Sequence, residues 1–348
     1  MELELIVFGV VLALVFDFAN GMHDSANSIA TVVATRVLKP FQAVAWAAFW
    51  NFAAIIIMDL RVARSIGKGV VDPDVVTTGV ILAGLVGAII WSLATIYVGL
   101  PISSSHALVG GLLGAGLVCA GPGAIFWMGI GKIAIFMVVA PLIGVTLAYL
   151  NMWVVTLIFH KMDRRKTEKL FKRLQLVSAA LFSLGHGTGD AQKTMGIISV
   201  LLLTGGITSA HHGPWLFRST FDQSGFVPNW VALAAFAAIA LGTLMGGWKI
   251  VRTMGVRLTS LGPREGFCAE TAAAASILGT AYFGIPVSTT HTISGGIMGV
   301  GAMRRLTAVR WGVMGRIVWA WILTIPISAC IAALTYKAMV LIAGDVLK

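Results

Sequence analysis

Long apolar runs broken by short charged ones divide this chain. No Asp, Glu, Lys or Arg lies between Asp74 and Lys132, and none between Glu270 and Arg304. A membrane-spanning helix needs about 20 apolar residues, and the apolar stretches predict helices over 5–30, 41–60, 124–160, 174–204, 229–248 and 311–343. Two further stretches, 75–118 and 269–302, are interrupted near the middle by a proline and a run of hydroxyl residues. They are predicted as helical hairpins that enter and leave by one side. The order helix, helix, hairpin, helix then occurs twice, in 1–160 and in 174–348, with the basic stretch 161–173 read as a cytoplasmic loop between them. The predicted fold class is an all-α polytopic membrane protein made of two inverted-topology repeats, each with transmembrane helices and one re-entrant helical hairpin.

The hairpin interruptions repeat each other. Pro101-Ile102-Ser103-Ser104-Ser105-His106, followed by Gly110-Gly111, returns 185 residues later as Pro286-Val287-Ser288-Thr289-Thr290-His291, followed by Gly295-Gly296. Hydroxyls in hydrocarbon must find internal partners, because each unsatisfied polar group there costs several kcal/mol. Two such clusters at corresponding places point to a solute site between the repeats.

Composition agrees with the membrane reading. The chain is 58% hydrophobic and 11% charged, with a mean hydropathy of +0.91, whereas soluble domains have roughly a quarter of their residues charged. The excess of 25 Lys+Arg over 14 Asp+Glu forms no stripe on a soluble domain, which argues against a nucleic-acid partner. The cations fall between apolar segments and read as topology signals. The run from Lys161 to Arg173 holds seven basic residues and is expected in the cytoplasm. Counting outward puts Arg36/Lys39, Arg252/Arg257/Arg264 and Arg304/Arg305/Arg310 on that side too, with both termini and the 205–228 loop outside. Arg61, Arg64 and Lys68 run against the count, offset in part by Asp59, Asp72 and Asp74. Met1-Glu2-Leu3-Glu4 lacks the basic start of a cleaved signal, so the first apolar segment is expected to be retained. Cys119, Cys268 and Cys330 lie far apart, which suggests neither a disulfide framework nor a zinc site.

Acids inside apolar segments are costly and mark function. Asp17, Asp24, Asp190 and Glu270 are of this kind. Asp24 lies in Asn20-Gly21-Met22-His23-Asp24-Ser25-Ala26-Asn27-Ser28, and Asp190 in His186-Gly187-Thr188-Gly189-Asp190-Ala191-Gln192-Lys193-Thr194. Aligned on Gly21 and Gly187, the aspartates coincide and Asn27 faces Lys193. Asp17 precedes Asp24 by two helical turns on a similar face, and is read either as part of the site or as a residue near the outer water. Glu270 is read as the cytoplasmic start of the second hairpin. His23 adjoins Asp24 and is a candidate proton relay, while His106 and His291 are read as neighbours of the site.

These four motifs resemble the inorganic phosphate transporter family, the Pit-type phosphate permeases, in a bacterial form. The first is similar to the family's Gly-x-x-Asp-x-Ala-Asn signature. The second is similar to its His-Gly-x-x-Asp signature in the Gln-Lys-Thr-Met-Gly form, Gln192 to Gly196, and Pro-x-Ser-[Ser/Thr]-[Ser/Thr]-His completes both halves. The resemblance spans about residues 5 to 330. It implies multi-pass insertion in a bacterial inner membrane and phosphate import by cation-coupled symport. It also implies that Asp24, Asn27, Asp190 and both hydroxyl clusters line the substrate and ion site. His23 and Gly189 stand where many relatives carry Asn, and Lys193 where sodium-coupled relatives have a second Asn.

The residues suit such a task. Phosphate needs donors, and Ser103, Ser104, Ser105, Ser288, Thr289 and Thr290 each supply a hydroxyl beside a helix N-terminus. An aspartate about 4 Å from a dianion is unfavourable by about 8 kcal/mol at an effective dielectric near 20. Anion binding beside Asp24 and Asp190 therefore requires a compensating cation. Lys193, three residues after Asp190, is placed to pair with it and to stand in for a bound sodium. The expected substrate-binding set is Ser103, Ser104, Ser105, Ser288, Thr289, Thr290, Asp24, Asn27, Asp190 and Lys193. The expected coupling set is Asp24, Asn27, Asp190 and His23, with no resident metal or cofactor. The coupling cation is expected to be a proton, or a divalent metal carried with phosphate, ahead of sodium. Inorganic phosphate, the cation and membrane lipids are the expected partners, with a homo-oligomer left open.

Other classes fit less well. A hydrolase triad needs one nucleophile, one base and one acid in contact, yet every element here is duplicated and no Gly-x-Ser-x-Gly or His-Glu-x-x-His occurs. A channel has little use for buried acids paired with a lysine. Sulfate or another tetrahedral oxyanion is the alternative substrate.

Overall fold

A computed structural model describes residues 2–57, 70–207, 214–218, 227–282 and 287–343. Pro286, the cluster Asp59, Arg61, Arg64 and Lys68, and most of the 205–228 loop lie outside them. The described residues are almost wholly helical, and the helices of the second half repeat the order of the first.

Helix α1 runs Glu2–Ala34. It stops where Arg36 takes φ 57° and the Val37 N–H reaches back to the Val32 carbonyl, a left-handed close that costs a non-glycine residue about 1–2 kcal/mol. Helix α2 (Pro40–Ala53) opens with a proline whose missing N–H is harmless in a first turn, and tightens into a 3-10 turn over Ala54–Ile57. The first hairpin is α3 (Thr78–Val98) and α4 (Ser104–Ala120). Gly99, at φ 81°, ends α3, and the Ser103 side chain accepts the His106 N–H to cap α4. Helix α5 (Trp127–Phe159) follows, with Pro141 inside it.

The second half brings α6 (Arg164–Thr204), α7 (Asn229–Met245), the short α8 (Trp248–Arg252) with a wide turn over Thr253–Arg257, the hairpin α9 (Pro263–Tyr282) and α10 (Thr289–Arg304), and α11 (Trp311–Ala343). Ser288 caps α10 through the His291 N–H, as Ser103 caps α4.

Three boundaries differ from the sequence expectation. Residues 164–173, expected as loop, are the first turns of α6: Asp163 accepts the N–H groups of Arg165 and Lys166, and Lys172 pairs with Glu168 at 2.9 Å. These are an N-cap and an i,i+4 pair, which overcome the charge density. The helix expected at 229–248 breaks at Gly246, φ 72°, and the chain turns by 62° into α8. Glu270 lies well inside α9 and is fully buried, so it marks no helix start.

Among the described residues five helices are long and apolar enough to cross a membrane, and the bent α7–α8 pair adds a sixth. The 41-residue α6 is long enough but carries the polar second motif at its centre. The surface is apolar, with Phe41, Ile56, Met128 and Leu341 mostly exposed, while Asp17, Asn20, Asp24 and Lys193 are buried. That inversion suits a hydrocarbon solvent.

Close approaches tie the two halves together. A methyl group at Gly21 of α1 would strike the Ile239 carbonyl of α7, and one at Gly187 of α6 would strike the Asn51 carbonyl of α2. In the hairpins, Gly110 and Gly114 of α4 meet α11 at Ile325 and Ala329, while Gly295 and Gly299 of α10 meet α5 at Pro141 and Val145. Each hairpin's second arm thus packs against the last helix of the other half. The site lies where α1, α6 and the two capped arms converge.

Candidate functional site

Asp24 sits in the second half of α1 and is 1% exposed. Its carboxylate is surrounded by polar groups from four elements. His23 Nδ1 lies 2.7 Å from Oδ1, Thr289 of α10 donates to Oδ2 at 3.3 Å, and the Ser104 hydroxyl of α4 lies 3.2 Å from Oδ2. Thr290 reaches Oδ1 at 3.5 Å, and His186 Nε2 of α6 lies 3.6 Å from Oδ2. Asp190, on α6, is held differently: Lys193 Nζ is 2.5 Å from its Oδ1 and Asn20 Nδ2 donates to its Oδ2 at 3.2 Å.

The contacts cross between halves in matched pairs. Asn27 donates to Thr290 of the second hairpin at 2.9 Å, and Lys193 donates to Ser105 of the first at 2.5 Å. Asn20 of the first half reaches Asp190, and His186, its counterpart four residues before Asp190, reaches Asp24. The single Ser104 hydroxyl proton lies between Asn20 Oδ1 at 2.5 Å and Asp24 Oδ2 at 3.2 Å and goes to the nearer Asn20.

His186 also touches Asp190, at 3.6 Å from Oδ2. Its tautomer follows from the groups behind it. Thr243 donates to the Ile239 carbonyl and so accepts from Asn51 Nδ2 at 2.9 Å; Asn51 Oδ1 then faces His186 Nδ1 at 3.1 Å as acceptor. Nδ1 therefore carries the proton. In the neutral ring Nε2 is a lone pair aimed at two carboxylates, and ligand atoms of Asp24, His186 and Asp190 all lie within 4.8 Å of one another. Three buried Lewis bases at that spacing can share a cation, or a second proton on His186 can bridge the acids.

Two helix N-termini point into the same space. Ser103 and Ser288 use their side-chain oxygens as caps. The N–H groups of Ser104 and Ser105, and of Thr289 and Thr290, belong to first turns with no acceptor within their helices. With the positive ends of two helix dipoles, such unpaired N–H groups are the kind of donors that suit an anion. Behind the tips, the His106 and His291 rings meet edge to face at 4.9 Å, and His291 lies on Trp321 at 3.9 Å. Trp321 Nε1 donates to the Pro101 carbonyl at 3.0 Å, fixing the first tip.

Two hydroxyl-bearing helix starts meet Asp24 here, and the family profile is decisive: that of the phosphate transporter family matches residues 20–332. The chain belongs to the phosphate transporter family. It is similar to a probable low-affinity inorganic phosphate transporter of Rhizobium meliloti (strain 1021), at 51% identity over 99% of both chains. A protein of the same description from Bacillus subtilis (strain 168) is 43% identical over 96% of this chain and 97% of that one. Among solved structures, "The sodium-dependent phosphate transporter" superposes with a TM-score of 0.85 at 25% identity, covering 97% of this chain and 100% of that one. The protein is thus a membrane transporter of inorganic phosphate and not an enzyme.

In this phosphate transporter the structure brings Asp24, Asn27, His23, Ser104, Ser105, Thr289, Thr290, Asp190 and Lys193 into one hydrogen-bonded group. Ser103 and Ser288 adjoin it as caps. Sequence reasoning left out Asn20, His186 and Asn51. The first two carried a readable signal, since each precedes its aspartate by one helical turn. Asp17 is fully buried and away from water. No well-formed hydrogen bond from a described residue reaches either of its carboxylate oxygens, and Thr194 and Asn20 are its polar neighbours. Glu270 is in a separate cluster, receiving Thr31 and Ser178 at 2.5 Å each and Gln175 at 3.0 Å.

Proposed function

We propose that this protein imports inorganic phosphate across a bacterial inner membrane by cation-coupled symport. The two halves act as inverted repeats that alternate about a site near mid-membrane. The recurrence of the hairpin contacts supports the repeat: Gly111 meets the Gly84 carbonyl, and 185 residues on Gly296 meets that of Ala269. Phosphate binds between the starts of α4 and α10, with Ser104, Ser105, Thr289 and Thr290 as donors. Asp24 and Asn27 complete the enclosure.

The observation that carries the reading is the imbalance of fixed charge. Asp17, Asp24 and Asp190 are all buried, and Lys193 is the one lysine or arginine among the described residues that forms an ion pair with any of them. Adding an anion there without a cation leaves several unpaired buried charges, each costing several kcal/mol. Cation entry with phosphate removes that cost. The His186 lone pair between Asp24 and Asp190 supplies a place for it.

The coupling cation is a proton, or a divalent metal travelling with phosphate, rather than sodium. Support comes from Lys193, whose ammonium already lies on Asp190 and Ser105. His23 is aligned as a relay: Nδ1 faces Asp24, and Nε2 accepts the Ile102 N–H at 3.5 Å. Selectivity over sulfate follows from acceptors. Hydrogen phosphate has a proton for the Asp24 carboxylate and sulfate has none, so sulfate would leave a buried acceptor facing an anion.

Radiolabelled phosphate uptake into proteoliposomes tests this. Uptake is expected to persist without sodium, collapse with a protonophore in the absence of divalent metal, and resist excess sulfate. Strict sodium dependence would reject the coupling reading, and equal competition by sulfate the substrate reading.

A further inference from the structure

A cavity of about 350 Å³ lies behind the first hairpin tip, outside the transport site. Its walls come from the α3 end at Val98, Gly99 and Leu100, the wide turn after α8, and the first turns of α11. Two arginines, Arg257 and Arg316, line it, and no aspartate or glutamate does. Both side chains are exposed. Neither makes an ion pair or a hydrogen bond to any described residue. The rest of the lining is largely apolar or aromatic, including Trp91, Trp319 and Leu323, and Trp319 and Leu323 are 64% and 43% exposed.

Two guanidinium groups on the wall of one cavity, with no counter-ion among the described residues, leave their charge unmet, and their fork geometry matches phosphate oxygens. A free anion in water has no use for an apolar mouth that opens toward hydrocarbon. An acyl chain does, since burying it along Trp319 and Leu323 removes apolar surface from headgroup contact while the arginines hold the phosphate. Basic pockets between transmembrane helices favour anionic lipid headgroups for this reason. We propose that Arg257 and Arg316 form a binding site for the phosphate headgroup of an anionic phospholipid, with its acyl chain leaving over Trp319 and Leu323.

The location gives such a lipid leverage on the tip. Thr253, in the turn that carries Arg257, donates to the Gly99 carbonyl at 2.8 Å, and Lys249 donates to the Tyr97 carbonyl at the same distance. Gly99 ends α3 four residues before the Ser103 cap. A lipid joining Arg257 to Arg316 therefore ties the turn, the hairpin tip and α11 into one unit.

Native mass spectrometry of the full chain in detergent tests the site, with phosphatidylglycerol, phosphatidylcholine and inorganic phosphate titrated separately. Phosphatidylglycerol is expected to remain bound and phosphatidylcholine to be lost. Arg257→Ala with Arg316→Ala should weaken phosphatidylglycerol at least about tenfold, near 1 kcal/mol or somewhat more per headgroup contact, while Arg257→Lys with Arg316→Lys should retain part of it. Equal retention of both lipids, or no effect of the double alanine variant, would overturn the proposal. So would displacement of phosphatidylglycerol by inorganic phosphate, which would make this a site for the free anion. If the double variant does not fold, Arg316→Ala alone serves as the test, since its exposed side chain supports no packing.

Discussion

Asp24 and Asp190 occupy equivalent places in the two halves, yet their charges are met in opposite ways. Around Asp24 stand hydroxyls and imidazoles, all able to be neutral. Asp190 has a covalently attached ammonium at 2.5 Å. The difference traces to one position: the residue three after the aspartate is Asn27 in one half and Lys193 in the other, and each reaches the opposite hairpin. The two aspartates thus sit in matching places, and one side-chain difference, Asn27 against Lys193, sets how each charge is met. Under the proposed symport, the Asp190 half is already neutralised by Lys193, and the Asp24 half is the one that takes up the mobile charge.

Removing the lysine should break this contrast most severely. Lys193→Ala leaves Asp190 buried and unpaired, a loss of about 3–5 kcal/mol when one partner of a buried pair is deleted. Thermal unfolding in detergent should show a clearly lowered midpoint and vesicle uptake should vanish. Adding Asp190→Asn should recover much of the stability but none of the transport.

Asp24→Asn should instead cost little stability, because its partners can re-pair with an amide. Phosphate accumulation driven by a cation gradient should fall to background while membrane insertion stays normal. Loss of fold in this variant would mean that Asp24 is structural after all.

Exchanging the two positions sharpens the comparison further. Lys193→Asn alone should make uptake respond to sodium, because a mobile ion must now replace the ammonium. Asn27→Lys combined with Lys193→Asn should restore sodium-independent folding stability, since residue 27 stands to Asp24 as 193 does to Asp190. If the double variant is less stable than either single one, the halves are not interchangeable at this level.

A smaller effect is expected at the helix contacts. Gly21→Ala and Gly187→Ala each put a methyl group on a facing backbone carbonyl, and overpacking of this kind costs about 1–3 kcal/mol. Similar losses in the two variants would support equivalent packing of α1 on α7 and of α6 on α2. Thr253→Val should cost least, about 1 kcal/mol for one hydrogen bond to Gly99, read as a modest midpoint shift.

Much of this is legible in the chain. Apolar runs locate the helices: α11 begins at the expected 311, because a run of apolar side chains follows the charged stretch that ends at Arg310. Helical spacing alone places Lys193 on Asp190. Local chemistry also holds the caps at Ser103 and Ser288, since an N-cap needs only its own next residues. The start of α6 escapes such a reading because its charges hide the Asp163 cap.

Long-range pairing is not legible. No spacing rule says that Asn20 turns to Asp190 and His186 to Asp24, or that Thr243 and Asn51 set the His186 tautomer from behind. Nor does any rule say that Arg257 and Arg316, far apart in sequence, share a cavity. The sequence by itself determined which segments enter the membrane and which side chains must be hidden there, because those costs arise residue by residue. Only the tertiary structure decided which hidden group meets which, because partners on different helices are chosen by backbone approach at the glycine contacts, which no local pattern encodes.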